Sequence, residues 1–367
     1  METIFVLDKL DIGGLQRVNT SVANELGKHL SVKIYSLQNS KNEMETSVPV
    51  VYGESGNLEH RFVQMLKALN SIYRLTSSKN SLLVIKYQVK KLINYIKLHD
   101  VSTVVLSGPS ILFVSEIKKK IPDLQCILWM HSTYEVYTEK YFIASKIQFT
   151  SSIVKADKIV CLTREDKSKY SNFNINTTYI NNPNIIYNDG ESSSLNNKVI
   201  SFVGSLNIEA KGLDYLIEIS KHIPDDWVIK VAGEGKDQKV LERLKVNNVI
   251  FVGGLSGKDL EKHYLNSSIF ISTSRWEGFG LVIIEAMSFG IPIVAFNTTG
   301  SREILLDSKF GILVENGNTD QMIAELQKLI ISIDLRKKYS KKSLERSKDF
   351  EIDNIINQWI SLIKDVC

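Results

Sequence analysis

Glu277 and Glu285 frame the segment of this chain best suited to chemistry, Ser274-Arg275-Trp276-Glu277-Gly278-Phe279-Gly280-Leu281-Val282-Ile283-Ile284-Glu285-Ala286-Met287. The two glycines let the backbone amides of Gly278, Phe279 and Gly280 point at a polar ligand. Glu277, at the start of that loop, can accept hydrogen bonds from the hydroxyls of a sugar. Glu285 falls about one turn into an otherwise apolar helix, among Val282, Ile283, Ala286 and Met287. A carboxylate in such surroundings is costly unless it is hydrogen-bonded, and ribose hydroxyls would satisfy it. The plainer alternative is a helix whose two acids face solvent.

Three other places carry suitable residue types. Lys211, in Lys211-Gly212-Leu213-Asp214, stands just before a helical pattern and after the Gly turn of Phe202-Val203-Gly204. A lysine there can act as a point charge on a phosphate, with a helix N-terminus adding its dipole; a solvated surface lysine is the alternative. Gly13 and Gly14, in Asp11-Ile12-Gly13-Gly14-Leu15, follow the first apolar run and open the first helix. That places close-approach backbone and a helix N-terminus together, a combination that favours an anion, although an ordinary tight turn has the same sequence. His131 follows the apolar run 126–130. A lone histidine is usually a satisfied structural residue, but this one stands at a strand's carboxyl end.

These residues need a scaffold, and the pattern supplies one. Apolar runs at 4–7, 32–37, 103–106, 126–130 and 158–162 alternate with amphipathic stretches such as 18–29 and 111–120. A second alternating set begins at 199–203 and continues at 228–232, 249–252, 269–273, 291–296 and 311–314. Alternation of this kind predicts α/β architecture with parallel sheets. The polar segment 180–198 reads as the linker. The expected fold is two Rossmann-like doubly wound domains facing a central cleft, with ligands at the carboxyl ends of the strands. The boundaries read as 1–185 for an N-terminal domain, 186–351 for a C-terminal domain, and 352–367 for a closing helix.

Length and composition agree with two folded domains: 367 residues, 43% hydrophobic and 23% charged. No apolar run reaches the roughly 18 residues of a membrane span, and the N-terminus reads as a buried strand and not a signal peptide. Cys126, Cys161 and Cys367 form no metal pattern and, being odd in number, no disulfide scaffold. A cytoplasmic location is expected. The net charge of +4 is too mild to imply nucleic acid. Its distribution is uneven: residues 61–100 hold Arg61, Lys67, Arg74, Lys79, Lys86, Lys90, Lys91 and Lys97 against Asp100 alone. With Phe62, Met65, Leu66 and Leu69, and with Ile85, Val89, Leu92, Ile93 and Ile96, at helical spacing, the stretch reads either as a peripheral contact with anionic membrane or as a pair of packed helices with solvated cations.

The Glu277–Glu285 pair, within Glu-Gly-Phe-Gly-Leu-x3-Glu-Ala, resembles the retaining glycosyltransferases of family 4, the glycosyl transferases group 1, which have two-domain GT-B architecture. Gly13-Gly14, Val203-Gly204 with Lys211-Gly212, Ala232-Gly233-Glu234-Gly235, Gly300-Ser301-Arg302-Glu303-Ile304, Gly311-Ile312-Leu313-Val314 and a closing helix with Trp359 follow in the expected order. The resemblance implies that Glu277 and the amides of Gly278, Phe279 and Gly280 contact the donor sugar, that Glu285 binds the nucleotide ribose and Lys211 the diphosphate, and that His131 lies beside the donor sugar. Gly13 and Gly14 would also serve donor binding. The resemblance makes 1–185 the acceptor-side domain, with the helix 352–367 crossing back to it, and 186–351 the nucleotide-sugar-binding domain. Where many relatives carry an arginine, this chain has Ser205; either Lys211 then acts without it, or Arg275 or another base replaces it. The resemblance further implies no cofactor and no metal, the nucleotide-sugar being a substrate, and no Asp-x-Asp metal motif stands near a strand end. The function expected is transfer, with retention, of a hexose or N-acetylhexosamine from a nucleotide-diphosphate sugar (a UDP-sugar ahead of GDP-mannose) to a saccharide or lipid-linked saccharide in surface polysaccharide or glycoconjugate synthesis. The alternatives are a non-catalytic sugar-binding or partner-stabilising subunit, and a nucleotide-sugar epimerase or a phosphorylase on the same architecture.

Overall fold

The computed structural model describes residues 2–364 except 12, 39–43, 55, 77–82, 187, 245 and 247. The chain divides into two compact units, one of Met1–Asn181 with Ile355–Cys367 and one of Asn182–Asn354.

The first unit is built on a seven-stranded sheet: β1 (Glu2–Leu7), β2 (Ser31–Ser36), β3 (Val50–Tyr52), β4 (Val101–Leu106), β5 (Gln125–Trp129), β6 (Lys158–Cys161) and β7 (Thr177–Tyr179). Their order is β3-β2-β1-β4-β5-β6-β7, with parallel pairing throughout. A parallel sheet is covered on both faces, which is why its central strands read as continuous apolar runs and not as alternation. Ile4, Val6, Val104, Leu106, Cys126 and Leu128 form its core with Leu92, Ile96 and Ile117 of covering helices. The two edge strands, β3 and β7, are three residues each and mostly half-buried, so they do not stand out in the sequence.

The second unit has a six-stranded sheet: β8 (Val199–Val203), β9 (Val228–Ala232), β10 (Val249–Gly253), β11 (Ile269–Ser272), β12 (Ile293–Phe296) and β13 (Ile312–Val314). The order is β10-β9-β8-β11-β12-β13, again all parallel. All six expected runs became strands. Ile200, Phe202, Ile229, Val231, Ile269 and Ile271 pack with Leu213, Leu216 and Leu326. Both sheets are thus doubly wound, as the alternation requires, and the α/β two-domain expectation holds.

The described residues between β7 and β8 form no helix or strand. The last helix, Ile352–Lys364, buries Ile355, Ile356 and Trp359, and from Ile355 onward it belongs to the first unit. Trp359 is held there by Phe5 and Trp129, at ring-centroid distances of 6.2 and 4.6 Å.

The basic stretch forms the helices Asn57–Thr76 and Leu83–Leu98. The second helix turns Val89, Leu92, Ile93 and Ile96 into the core, so its apolar spacing is explained by packing. The first exposes Phe62, Met65 and Leu69 by 41, 49 and 42%. The side chain of Arg74 and the whole of Lys79 lie outside the described residues. Among the described residues no helix is long and apolar enough to cross a membrane.

Candidate functional site

In the second unit the strand order reverses between β8 and β11. Loops leaving the carboxyl ends of two such strands diverge and open a crevice, the usual ligand position in doubly wound sheets. Lys211 follows β8, and Glu277 follows β11, so the reversal brings together two residues 66 positions apart in sequence: Lys211 Nζ donates to Glu277 Oε2 at 2.5 Å. Their side chains are 20 and 21% exposed. Ser274 Oγ adds a longer contact, 3.4 Å, to the same carboxylate oxygen.

Local structure explains why Lys211 is held here. It ends the short helix Ile208–Lys211, and Gly212 then takes the left-handed conformation (φ 60°) that starts the helix Leu213–Ser220. A Cβ at Gly212 would lie 2.1 Å from the carbonyl oxygen of Thr273, so only glycine lets this turn approach the end of β11 so closely. Thr273 Oγ1 donates to the Lys211 carbonyl at 2.8 Å and fastens the turn. Lys211 therefore closes one helix as well as preceding another.

The loop Glu277–Gly280 is positioned from the other side. The Gly300 amide donates to the Glu277 carbonyl at 3.1 Å. Gly280, at φ 104°, begins the helix Leu281–Ser288, and no side chain caps that helix. The Ile283 amide turns back to the Gly280 carbonyl at 2.9 Å, and the amides before it, at the positive dipole end, are the ones an anion or a polar ligand would meet.

Glu285 lies on this helix but not beside Glu277's carboxylate partners. It is only 1% exposed, and one carboxylate oxygen accepts the Tyr264 hydroxyl at 2.9 Å. For Glu285 the solvent-facing alternative is thereby ruled out. Tyr264, on the helix Gly257–Leu265, satisfies one of its carboxylate oxygens within the protein. Tyr264 gave no sequence signal beyond being an aromatic on an amphipathic helix.

Arg275, the cation offered in the place left by Ser205, is engaged within the protein. Its guanidinium makes a two-pronged contact with Asp214, at 2.9 and 2.5 Å, and lies 4.2 Å from the centroid of the Tyr215 ring. Asp214 holds the arginine further into its charged form, and Arg275 holds Asp214 below the usual carboxylate range, against the opposing effect of burial. The arginine braces the turn that carries Lys211. It is a positioned cation, not a free one.

In the first unit, Gly13 is an extended N-cap and Gly14 the first residue of the helix Gly14–Leu26, at the carboxyl end of β1. His131 follows β5. The two meet through a residue that sequence reasoning overlooked: Asn19, fully buried one turn into the Gly-Gly helix, donates from Nδ2 to His131 Nε2 at 2.9 Å. Asn19 also donates to the Leu15 carbonyl at 2.9 Å and accepts from Ser107 Oγ at 3.0 Å. The His131 ring lies against Trp129, 4.4 Å between centroids, and its backbone amide donates to the Tyr137 hydroxyl at 3.1 Å. Removal from water pushes the imidazole down to about 3, so it is neutral near pH 7. A buried asparagine flanked by Val18 and Val22 was the available clue. Among the described residues, no three His, Cys, Asp or Glu side chains gather into a metal-binding group.

Residues 188–346, nearly the whole second unit, match the family model described as Glycosyl transferases group 1. Over 98% of this chain and 98% of the relative, the sequence is 29% identical to an uncharacterised glycosyltransferase of Haemophilus influenzae. It is 27% identical to the amylovoran biosynthesis glycosyltransferase AmsD of Erwinia amylovora, over 57% of this chain and 62% of that one. The crystal structure of Anabaena Alr3699/HepE in complex with UDP and glucose superposes with a TM-score of 0.79 at 17% identity, covering 99% of both chains, a likeness of fold. The chain is accordingly a glycosyltransferase of GT-B architecture, and its second unit belongs to the glycosyl transferases group 1.

Proposed function

We propose that this glycosyltransferase moves a hexose or N-acetylhexosamine from a UDP-sugar to a saccharide or lipid-linked saccharide, with retention at the anomeric carbon, as family 4 enzymes do, in surface polysaccharide or glycoconjugate synthesis. The observation that carries the reading is the Lys211–Glu277 pair at the strand-order reversal of the second sheet. One member is a cation suited to a diphosphate, and the other is a carboxylate suited to sugar hydroxyls.

The chemistry follows from these parts. As the bond to the diphosphate breaks, negative charge grows on the leaving oxygen, and catalysis depends on donors already aimed at it. Lys211 supplies a full positive charge, and the uncapped start of the helix Leu281–Ser288 supplies oriented amides. We assign this role to them without a divalent metal. Glu277, with the amides of Gly278, Phe279 and Gly280, orients the donor sugar. Glu285, held by Tyr264, binds the ribose. In the first unit His131 contributes beside the donor sugar. A UDP donor is favoured because the structural relative from Anabaena binds UDP and glucose, and a polysaccharide product because a sequence relative serves amylovoran biosynthesis.

The lipid-linked acceptor is supported by the exposed apolar row Phe62, Met65 and Leu69 beside Arg61, and by exposed Lys86, Lys90 and Lys97 on the following helix. Such a surface suits an anionic membrane. The test of the central reading is a panel of nucleotide sugars, scored for binding and for transfer or slow hydrolysis. Turnover of one or more UDP-sugars is expected; turnover confined to GDP-sugars would overturn the donor assignment.

A further inference from the structure

Asn19 lies where the first sheet also reverses its strand order, between β1 and β4. It reaches three groups on three segments: the Leu15 carbonyl of its own helix, Ser107 after β4 and His131 after β5. The orientation of its amide follows from those partners. A carbonyl oxygen can only accept, so the atom 2.9 Å from the Leu15 carbonyl is the NH₂ group. The same NH₂ group faces His131 Nε2 at 2.9 Å, while Ser107 Oγ donates to the amide oxygen.

A neutral imidazole carries one proton, and its tautomer is set by what the other nitrogen meets. An NH₂ group at Nε2 requires that nitrogen to accept, which leaves the proton on Nδ1. We infer that Asn19 is a positioning residue that fixes His131 as the Nδ1–H tautomer, so that the ring offers a sugar oxygen a hydrogen-bond donor and not a base. This rests on the reading of His131 as a residue beside the donor sugar. Among the described residues no other side chain bonds to the ring nitrogens of His131. Packing against Trp129 fixes the plane of the ring, so the direction of the Nδ1–H bond is set by the fold. The depressed basicity of the ring agrees, since a group that stays neutral keeps a single tautomer across the working range of pH. A residue of this kind governs how a sugar is held, and no proton changes hands.

The experiment uses the full chain labelled with ¹⁵N-histidine, with the signals of His131 assigned by their loss in His131→Gln. Long-range ¹H–¹⁵N correlation at pH 7 is expected to show Nδ1 protonated and Nε2 bare. Asn19→Asp, nearly isosteric, replaces the donor by an acceptor and is expected to move the proton to Nε2. Turnover in that variant should fall by about tenfold or more, the value of one hydrogen bond, while affinity for UDP stays within about twofold because Lys211 and Glu285 are untouched. A wild-type spectrum with the proton on Nε2 overturns the inference, whether or not the variant folds. Unchanged turnover in a folded Asn19→Asp whose tautomer has switched overturns it too. Full activity in His131→Ala would instead refute the placing of His131 beside the sugar, and the spectrum distinguishes that failure from an error about Asn19.

Discussion

Replacing Lys211 by methionine removes one charge and keeps the length of the side chain. In the free protein its ammonium is spent on Glu277, 2.5 Å away, in a pair whose members are each about one-fifth exposed. Pairs with that much contact with solvent contribute little to folding, about 1 kcal/mol or less, so the urea midpoint of Lys211→Met should move only slightly. Binding is another matter. A hydrogen bond from a full charge to a diphosphate is worth roughly 1.5–3 kcal/mol, which corresponds to an affinity for UDP lower by about 10- to 150-fold. Glu277→Gln serves as the directional control: it frees the ammonium from its partner, so UDP affinity should hold or rise, while transfer of the sugar falls. Isothermal titration with UDP, alongside turnover of a UDP-sugar, reads both effects. Unchanged UDP affinity in Lys211→Met, or a large loss in Glu277→Gln, would refute the division of labour between cation and carboxylate.

Three further outcomes are expected. Because Lys211 and helix amides are assigned to the diphosphate, transfer should persist in excess chelator; a loss restored by Mg²⁺ or Mn²⁺ would show that a metal holds the donor. If the helix Asn57–Thr76 and its neighbour face an anionic bilayer, replacing Lys86, Lys90 and Lys97 by Gln should weaken co-sedimentation with anionic vesicles, most clearly at low salt, and leave transfer to a soluble acceptor nearly intact; a wild type that ignores such vesicles removes the support for membrane contact. His263 is buried against Ser201, 2.7 Å from its hydroxyl, and burial, aided by Lys230, pushes it from 6.5 down to about 4. The unfolded chain therefore takes up a proton on it before the folded one does, so its contribution is complete above pH 6.5 and is lost as pH falls towards 4, about 3 kcal/mol in all. Urea unfolding at pH 7 and pH 4.5 should show a smaller loss in His263→Gln than in the wild type.

The sequence by itself determined the architecture. Strands covered on both faces of a parallel sheet are apolar along most of their length, and that is why inner strands such as β1, β4, β5, β8, β11 and β12 stood out as runs. It also determined the chemical types present near strand ends: Glu277 with its glycine loop, Lys211, His131 and a carboxylate inside the apolar helix at Glu285. The strands β3 and β7 were not legible: both are short and mostly half-buried, whereas the equally short β13 buries Ile312 and Val314. Which side chains meet was decided only by tertiary structure. Lys211 and Glu277 are neighbours because β8 and β11 are adjacent in the sheet though distant in the chain, an ordering that no local periodicity encodes. Arg275 was a free cation on paper, and the turn carrying Asp214 and Tyr215 engages it. Glu285 meets Tyr264, and His131 meets Asn19, across 21 and 112 residues. Hydrogen bonds of that range depend on how helices lie over a sheet, and one sequence read along its length records the helices but not the faces they turn towards each other.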